Sequence, residues 1–477
     1  MTAQTERARW AALIVLCTGM LMIILDSAIV NVALPWIQRD LGFSQASLVW
    51  VVNGYLITFG GLLLLAGRVG DLVGRRRIFL IGMALFTFAS LLCGVAQSQG
   101  TLVAARFLQG TGGALTSSVI LGIIVTMFRE PAEQAKAIGV FSFVAAGGAS
   151  LGLLLGGVLT QALNWHWIFF VNVPIGIATF VLARRLVPHE EGVGLRHGAD
   201  VPGSLLVTAA LMLGVYTLLE APLHGWTSTR TLALFVLTVV LLALFVAREA
   251  TARTPLVPLR IFRSRTTVGA NAIQMLGVAG MFGMFFLAVL YLQRVLGYDA
   301  LETGVAFLPV SGLIAALSLG ASAKLSVRFG PRAIVIPGLI LMALGLLLFT
   351  RVPVDGRYLT DVLPVMIVLG TGAGLFFPSL MTLAMADVDP QESGLASGLI
   401  NTSLQVGGSI GLAVLAGLAT TRSQDLMGAG SSLPAALTGG YHLAFLVGAG
   451  LVLLGLLTAV WMAPRGSGNE AAAAAPG

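Results

Sequence analysis

Two ionisable residues stand where ionisable residues are costly. Asp26 interrupts the apolar run ALIVLCTGMLMIILDSAIVNVALP (12–35), and Arg106 lies in TLVAARFLQGTGGALTSSVILGIIVTMF (101–128). Charged groups inside a bilayer are expensive and mark ion pathways or proton relays. Burial disfavours the charged form of a carboxylate. Asp26 is thus suited to load a proton on one side of a membrane and release it on the other, or to meet a cationic substrate. The structural alternative is a helix cap or a salt bridge near the outer face. A buried guanidinium needs a partner or water. Arg106, Gln109, Gly113 and Ser117 fall at i, i+3, i+7 and i+11, one face of a helix. The alternative for Arg106 is to snorkel to the outer interface. Asn401, Gln405 and Gly408 form a similar stripe, and Asn31, Asn53, Asn271 and Gln274 are further amides in apolar runs. Such amides, with Gln109, are candidates to hydrogen-bond a ligand in a cavity, or simply to join helices.

The loop GRVGDLVGRRR (67–77) offers a different chemistry. Acids are favoured at helix N-termini and Arg at C-termini. Gly67, Asp71, Gly74, Arg75 and Arg76 can therefore form a gate that holds one face closed, or can merely set topology. Gly148, Gly152 and Gly156, followed by Gly157, recur at the four-residue spacing that lets helices approach closely. Other chemistry is excluded by context. GASLG (148–152) fits a hydrolase nucleophile elbow but lies in a hydrophobic helix instead of a strand–turn–helix. Lys136 and Lys324 follow Ala, so there is no P-loop. Five His and two Cys (Cys17, Cys93) are scattered, which implies no metal site, no disulfide framework and no cofactor.

The elements that carry these residues are membrane spans. The chain has 477 residues, 57% hydrophobic and 10% charged, where a soluble domain carries about 25% charged residues. This excludes a soluble enzyme, a nucleic-acid binder and a disordered chain. A spanning helix needs about 20 apolar residues. Fourteen such runs are predicted near 11–34, 48–66, 78–97, 101–127, 137–160, 167–187, 201–221, 231–248, 267–292, 303–323, 333–350, 361–383, 394–420 and 440–462. The first is too long for a signal-peptide core. With both termini in the cytoplasm, 20 of the 27 Lys and Arg fall inside and six outside, as the positive-inside bias requires. The net charge of +7 is thus a topology signal. Only two of the basic residues are Lys, which suggests a GC-rich bacterial source.

The longer cytoplasmic connections, 188–200 and 249–266, divide the chain into six helices, two and six. The expected units are an N-terminal bundle (1–190), an inserted helix pair (191–260) and a C-terminal bundle (261–463). A low-complexity, disordered tail follows (464–477). A faint internal echo aligns Gly74 and Arg76 of GRVGDLVGRRR with Gly330 and Arg332 of KLSVRFGPR (324–332). Two related bundles around a cavity is a common transporter plan.

These residues resemble the fourteen-helix drug/proton antiporters of the major facilitator superfamily, the EmrB/QacA type, over residues 10–462. The resemblance is carried by LDSAIVNVALP (25–35), GRVGDLVGRRR (67–77), RFLQGTGGA (106–114), WHWIFFVNVPIG (165–176) and SGLASGLINTSLQVGGSIGLAV (393–414), in that order. It implies an all-α membrane fold, two six-helix bundles plus an inserted pair, alternating access, and a part for Arg106 in proton coupling. It also implies that the glycine run of the fifth helix sits at the bundle interface and seals the cavity. Three positions depart from the pattern. Leu153 stands where the fifth-helix motif has Pro, His166 replaces an Arg between two Trp, and the tenth helix has no acid.

The expected function is export of hydrophobic or amphipathic small molecules across a bacterial cytoplasmic membrane, coupled to proton entry. The partners are the substrate, protons and the bilayer, with no nucleic acid. The cargo could instead be an endogenous metabolite, such as an antibiotic made by the host. A non-transporting sensor or scaffold is the alternative of another class.

Overall fold

Apolar runs of this length fold as helices because a backbone in hydrocarbon must satisfy its own hydrogen bonds within the segment. The structure, a computed structural model, describes residues 3–462 apart from 44, 49, 195–199, 253, 254, 256, 258–260, 262, 263, 299, 387, 390 and 391. The tail 464–477 lies outside the described residues. No β-strand occurs among the described residues. The long helical elements are α1 (Ala3–Leu41), α2 (Trp50–Val73), α3 (Arg75–Gly94), α4 (Gln99–Met127), α5 (Pro131–Ala162), α6 (Trp167–Leu186) and α7 (Val201–His224). They continue as α8 (Thr229–Thr251), α9 (Arg265–Val295), α10 (Glu302–Phe329), α11 (Pro331–Phe349), α12 (Tyr358–Met385), α13 (Ser393–Gly428) and α14 (Leu433–Trp461). Among the described residues, thirteen of them contain a stretch long and apolar enough to cross a membrane. α5 is 32 residues long and packs along α1. Several helices outrun the apolar stretches that predict them. α1 carries Arg7 and Arg9 before its apolar run and Arg39 and Asp40 after it. Interfacial turns tolerate the polar residues that the hydrocarbon does not.

The echo between the two loops is realised as geometry. Gly74 and Gly330 both take positive φ, +110° and +83°, which glycine adopts without a Cβ penalty, and each opens the helix that follows. Arg76 donates to the carbonyl of Arg184 in the last turn of α6. Arg332 donates to the carbonyls of Ala459 and Val460 in the last turn of α14, at 2.7–3.0 Å. Each arginine thus serves the unpaired carbonyls of a helix end.

Packing within α1–α6 and within α9–α14 is extensive, and the two sets meet at two seams. One is α5 against α10, where the Cβ position of Gly139 lies against the Ser318 carbonyl. Ser318 belongs to a π-helical turn, Leu317–Ala321, inside α10. The other is α2 against α13. There a Cβ on Gly67 would meet the Gly394 carbonyl, and one on Gly398 would sit 2.8 Å from the Leu63 carbonyl. The pair α7–α8 lies over this second seam. Met212 and Val215 of α7 pack on Gly61 and Gly60 of α2, Trp50 stacks on Tyr216 at 6.0 Å, and Trp226 reaches Gly417 of α13. Asp200 and Arg248 tie the start of α7 to the end of α8 at 3.0–3.1 Å. This hydrogen bonding holds the Asp200 carboxyl below the ordinary carboxylate range.

Candidate functional site

Asp26 and Arg106, 80 residues apart in sequence, meet inside the α1–α6 helices. Arg106 reaches Asp26 Oδ2 at 2.5 Å, and both side chains are almost wholly buried. Arg106 therefore does not snorkel. Its Nε donates to the Val51 carbonyl at 2.9 Å, the same terminal nitrogen that meets Asp26 donates to Gln109 Oε1 at 2.6 Å, and its guanidinium lies 4.4 Å from the Tyr55 ring centroid. Such a face contact adds cation–π attraction where water is excluded. Asp26 Oδ1 accepts from Gln109 at 2.7 Å and from Asn172 at 2.9 Å. Gln109 also donates to Ser90 at 2.8 Å. Four helices besides α1 build the cluster: α4 (Arg106, Gln109) and α6 (Asn172) hold the carboxylate, while α2 brings Tyr55 to Arg106 and α3 brings Ser90 to Gln109. A buried charge survives only when paired and hydrogen-bonded, and this one is both. Tyr55, Ser90 and Asn172 were not singled out by sequence. Asn172 lies in the quoted WHWIFFVNVPIG segment, but a polar residue near the start of a helix carries no distinctive signal alone.

Asp71 joins the two halves of the chain at one end of the α2–α13 seam. Its Oδ1 accepts from the Gly394 amide at 2.9 Å and its Oδ2 from the Leu395 amide at 2.7 Å. These amides belong to the first turn of α13, where a negative charge is stabilised. Arg75 holds the same carboxylate at 2.8 Å and reaches Glu190 at 3.1 Å. The connector after α6 then clasps the end of α2, with Val193 and Gly194 donating to the Asp71 and Leu72 carbonyls at 3.0 Å. Gly74 lets the connector pass, since a Cβ there would stand 2.8 Å from the Glu190 carbonyl. A cavity of about 300 Å³ lies beside these groups, lined by Asp71, Arg75, Thr126, Arg129 and Glu190. Its walls are charged, which suits an apolar ligand poorly.

The remaining candidates scatter. Gly148, Gly152 and Gly156 pack on α1, against Ile24, Ala28 and Ile29 at 2.8–2.9 Å from their Cβ positions. They join two helices of the same half, on a helix that elsewhere lies at one of the two seams between the halves. Gly157 takes no part, as a Cβ there would meet nothing within 4 Å. α5 continues as α-helix through residue 153, whose side chain lies outside the described residues, as does that of Asn31. Asn53 is buried on α2. Gln109 belongs to the Asp26 cluster. Asn401 donates back to the Ser397 carbonyl of its own helix at 2.9 Å, while Gln405 faces Gly60 across the α2–α13 seam. Gln274 is buried, and neither its amide nitrogen nor its oxygen is hydrogen-bonded among the described residues. Among the described residues, no three His, Cys, Asp or Glu gather as a metal site would require.

The sequence profile of the Major Facilitator Superfamily matches residues 16–412. A puromycin resistance protein of Streptomyces alboniger is 40% identical over 452 residues, covering 94% of this chain and 90% of that protein. A cephamycin export protein of Amycolatopsis lactamdurans is 36% identical over 417 residues, covering 87% and 85%. Among solved structures, the human organic anion transporter MFSD10 superposes with a TM-score of 0.66 over 94% of this chain and 99% of that one, at 15% identity, a likeness of fold. With that profile over most of its length, fourteen long helices and export and resistance proteins as relatives, the chain belongs to the Major Facilitator Superfamily and is a multi-pass membrane transporter of its drug-efflux type.

Proposed function

We propose that the protein exports hydrophobic or amphipathic small molecules from a bacterial cell and is driven by protons entering through Asp26. The observation that carries this reading is the buried cluster around that carboxylate. Asp26 is the one carboxylate well inside a predicted span. Its partner Arg106 also has the Val51 carbonyl, Gln109 and the Tyr55 ring. The guanidinium therefore keeps partners when Asp26 is neutralised, and the site can exist in both protonation states.

In this reading residues 1–190 and 261–463 are two bundles that rock about a midplane site, and 191–260 is an inserted pair. Both termini lie in the cytoplasm, and the host membrane is the cytoplasmic membrane of a bacterium. Gln274, with its unpaired buried amide, is the amide best placed to bond a polar group of the cargo. Relatives named for puromycin resistance and cephamycin export favour an antibiotic as cargo, either foreign or made by the host.

Uptake of a compound panel into everted vesicles, with and without a proton gradient, tests the proposal. Gradient-dependent accumulation is expected for the parent. Asp26→Asn should lose it at normal expression, because Asn cannot carry the proton. Full gradient-driven transport by Asp26→Asn would refute the role of this carboxylate.

A further inference from the structure

The three donors around Asp26 are not equivalent once a proton arrives. Oδ2 takes Arg106, while Oδ1 takes Gln109 and Asn172. A protonated carboxyl carries an O–H that must itself find an acceptor, and a buried donor left unpaired is costly. Arg106 has no acceptor to offer. Gln109 is held at both ends, since its Oε1 accepts from Arg106 at 2.6 Å and its Nε2 donates to Ser90 at 2.8 Å. Turning that amide over would break both bonds. Asn172 is held at one end only. Its Nδ2 donates to Asp26, and its Oδ1 has no hydrogen bond from the described residues. Asn172 is almost wholly buried within the cluster. The titratable and charged groups facing Asp26 are Arg106 from α4, Tyr55 from α2 and Cys93 from α3. Among the described residues α5 and α6 bring none, and the Tyr55 hydroxyl makes no bond to the carboxylate.

We propose that Asn172 is the positioning residue for proton loading: its amide turns half a revolution about the Cβ–Cγ bond when Asp26 is protonated. The bond from Nδ2–H to Asp26 Oδ1 is then replaced by one from the new Asp26 O–H to Asn172 Oδ1. The proton comes from water on the outward-facing side and binds Oδ1, while Oδ2 stays on Arg106, so α1 and α4 remain linked. On the inward-facing side the proton returns to water and the amide turns back. α6 thereby senses the charge of α1 through one side chain. This inference rests on the reading of Asp26 as the proton site.

Asn172→Leu keeps the volume and removes both the donor and the acceptor, while Asn172→Gln keeps an amide. Substrate counterflow in vesicles needs binding and rocking but no proton gradient, and it should survive in both variants. The pH midpoint of gradient-driven efflux should move by about one unit or more in Asn172→Leu, a tenfold change in the protonation equilibrium. In Asn172→Gln it should stay closer to that of the parent. An unmoved midpoint in Asn172→Leu overturns the proposal. Loss of driven efflux in Asp26→Asn together with that result would sink the amide alone and leave the proton site standing; driven efflux retained in Asp26→Asn would sink both. A second measurement does not depend on the variants folding. Acidifying the purified parent should give an infrared difference spectrum with a new carboxyl C=O band and a coupled amide shift. A carboxyl band with no amide shift overturns the proposal.

Discussion

At the scale of the residue, the energetics of Arg106 follow from its having a partner. Truncating one member of a buried ion pair leaves the other uncompensated and costs about 3–5 kcal/mol. Arg106→Ala should therefore lower the melting temperature and the yield of folded protein. Asp26→Asn combined with Arg106→Gln removes both charges and should regain folded protein without regaining proton-driven efflux. Thermal melting of the purified variants is the measurement, and an Arg106→Ala protein as stable as the parent would mean that the pair contributes little. Both charges were legible in the sequence because hydrocarbon makes any charge conspicuous. Their pairing was not, since nothing local links positions 80 apart. Tyr55 and Ser90 were illegible for the opposite reason: aromatic and hydroxyl residues are ordinary in apolar helices, and a role shows only when another helix brings a charge beside them.

At the scale of the element, the Asp71 contact joins the end of one helix to the start of another. Asp71 closes α2 onto α13 by charge against a helix N-terminus, worth about 0.3–2 kcal/mol. Asp71→Asn should shift the population toward the inward-open form several-fold or more. Cysteines introduced on the two faces report this by labelling rate, with Cys17 and Cys93 both buried and silent. Unchanged labelling on both faces would count against the gate. Gly398→Val tests the same contact by shape, because even a Cβ there stands 2.8 Å from the Leu63 carbonyl. Faster cytoplasmic labelling is expected, and labelling equal to the parent would show that the helices part without effort. The motif announced the gate loop and its acid. It did not announce the connector 190–194, which reads as an ordinary loop until its amides are seen on the last carbonyls of α2.

At the scale of the whole molecule, the helix count was legible because apolar length is a local property. The seat of α7–α8 was not, because it depends on surfaces presented by helices far away in sequence. The pair covers one of the two seams between the halves. Leu64 of α2, Val207 of α7, Phe245 of α8 and Leu395 of α13 share a hydrophobic cluster near one end of the seam, and Trp226 packs on α13 at Gly417 near the other. An apolar photoreactive probe dissolved in the bilayer should therefore label α5 and α10 along their seam and spare α2 and α13 where the pair lies over them. Equal labelling of both seams would show that the cover is not tight. The molecule is thus asymmetric toward its own membrane. The α7–α8 pair covers the α2–α13 flank, while the α5–α10 flank has no such cover among the described residues.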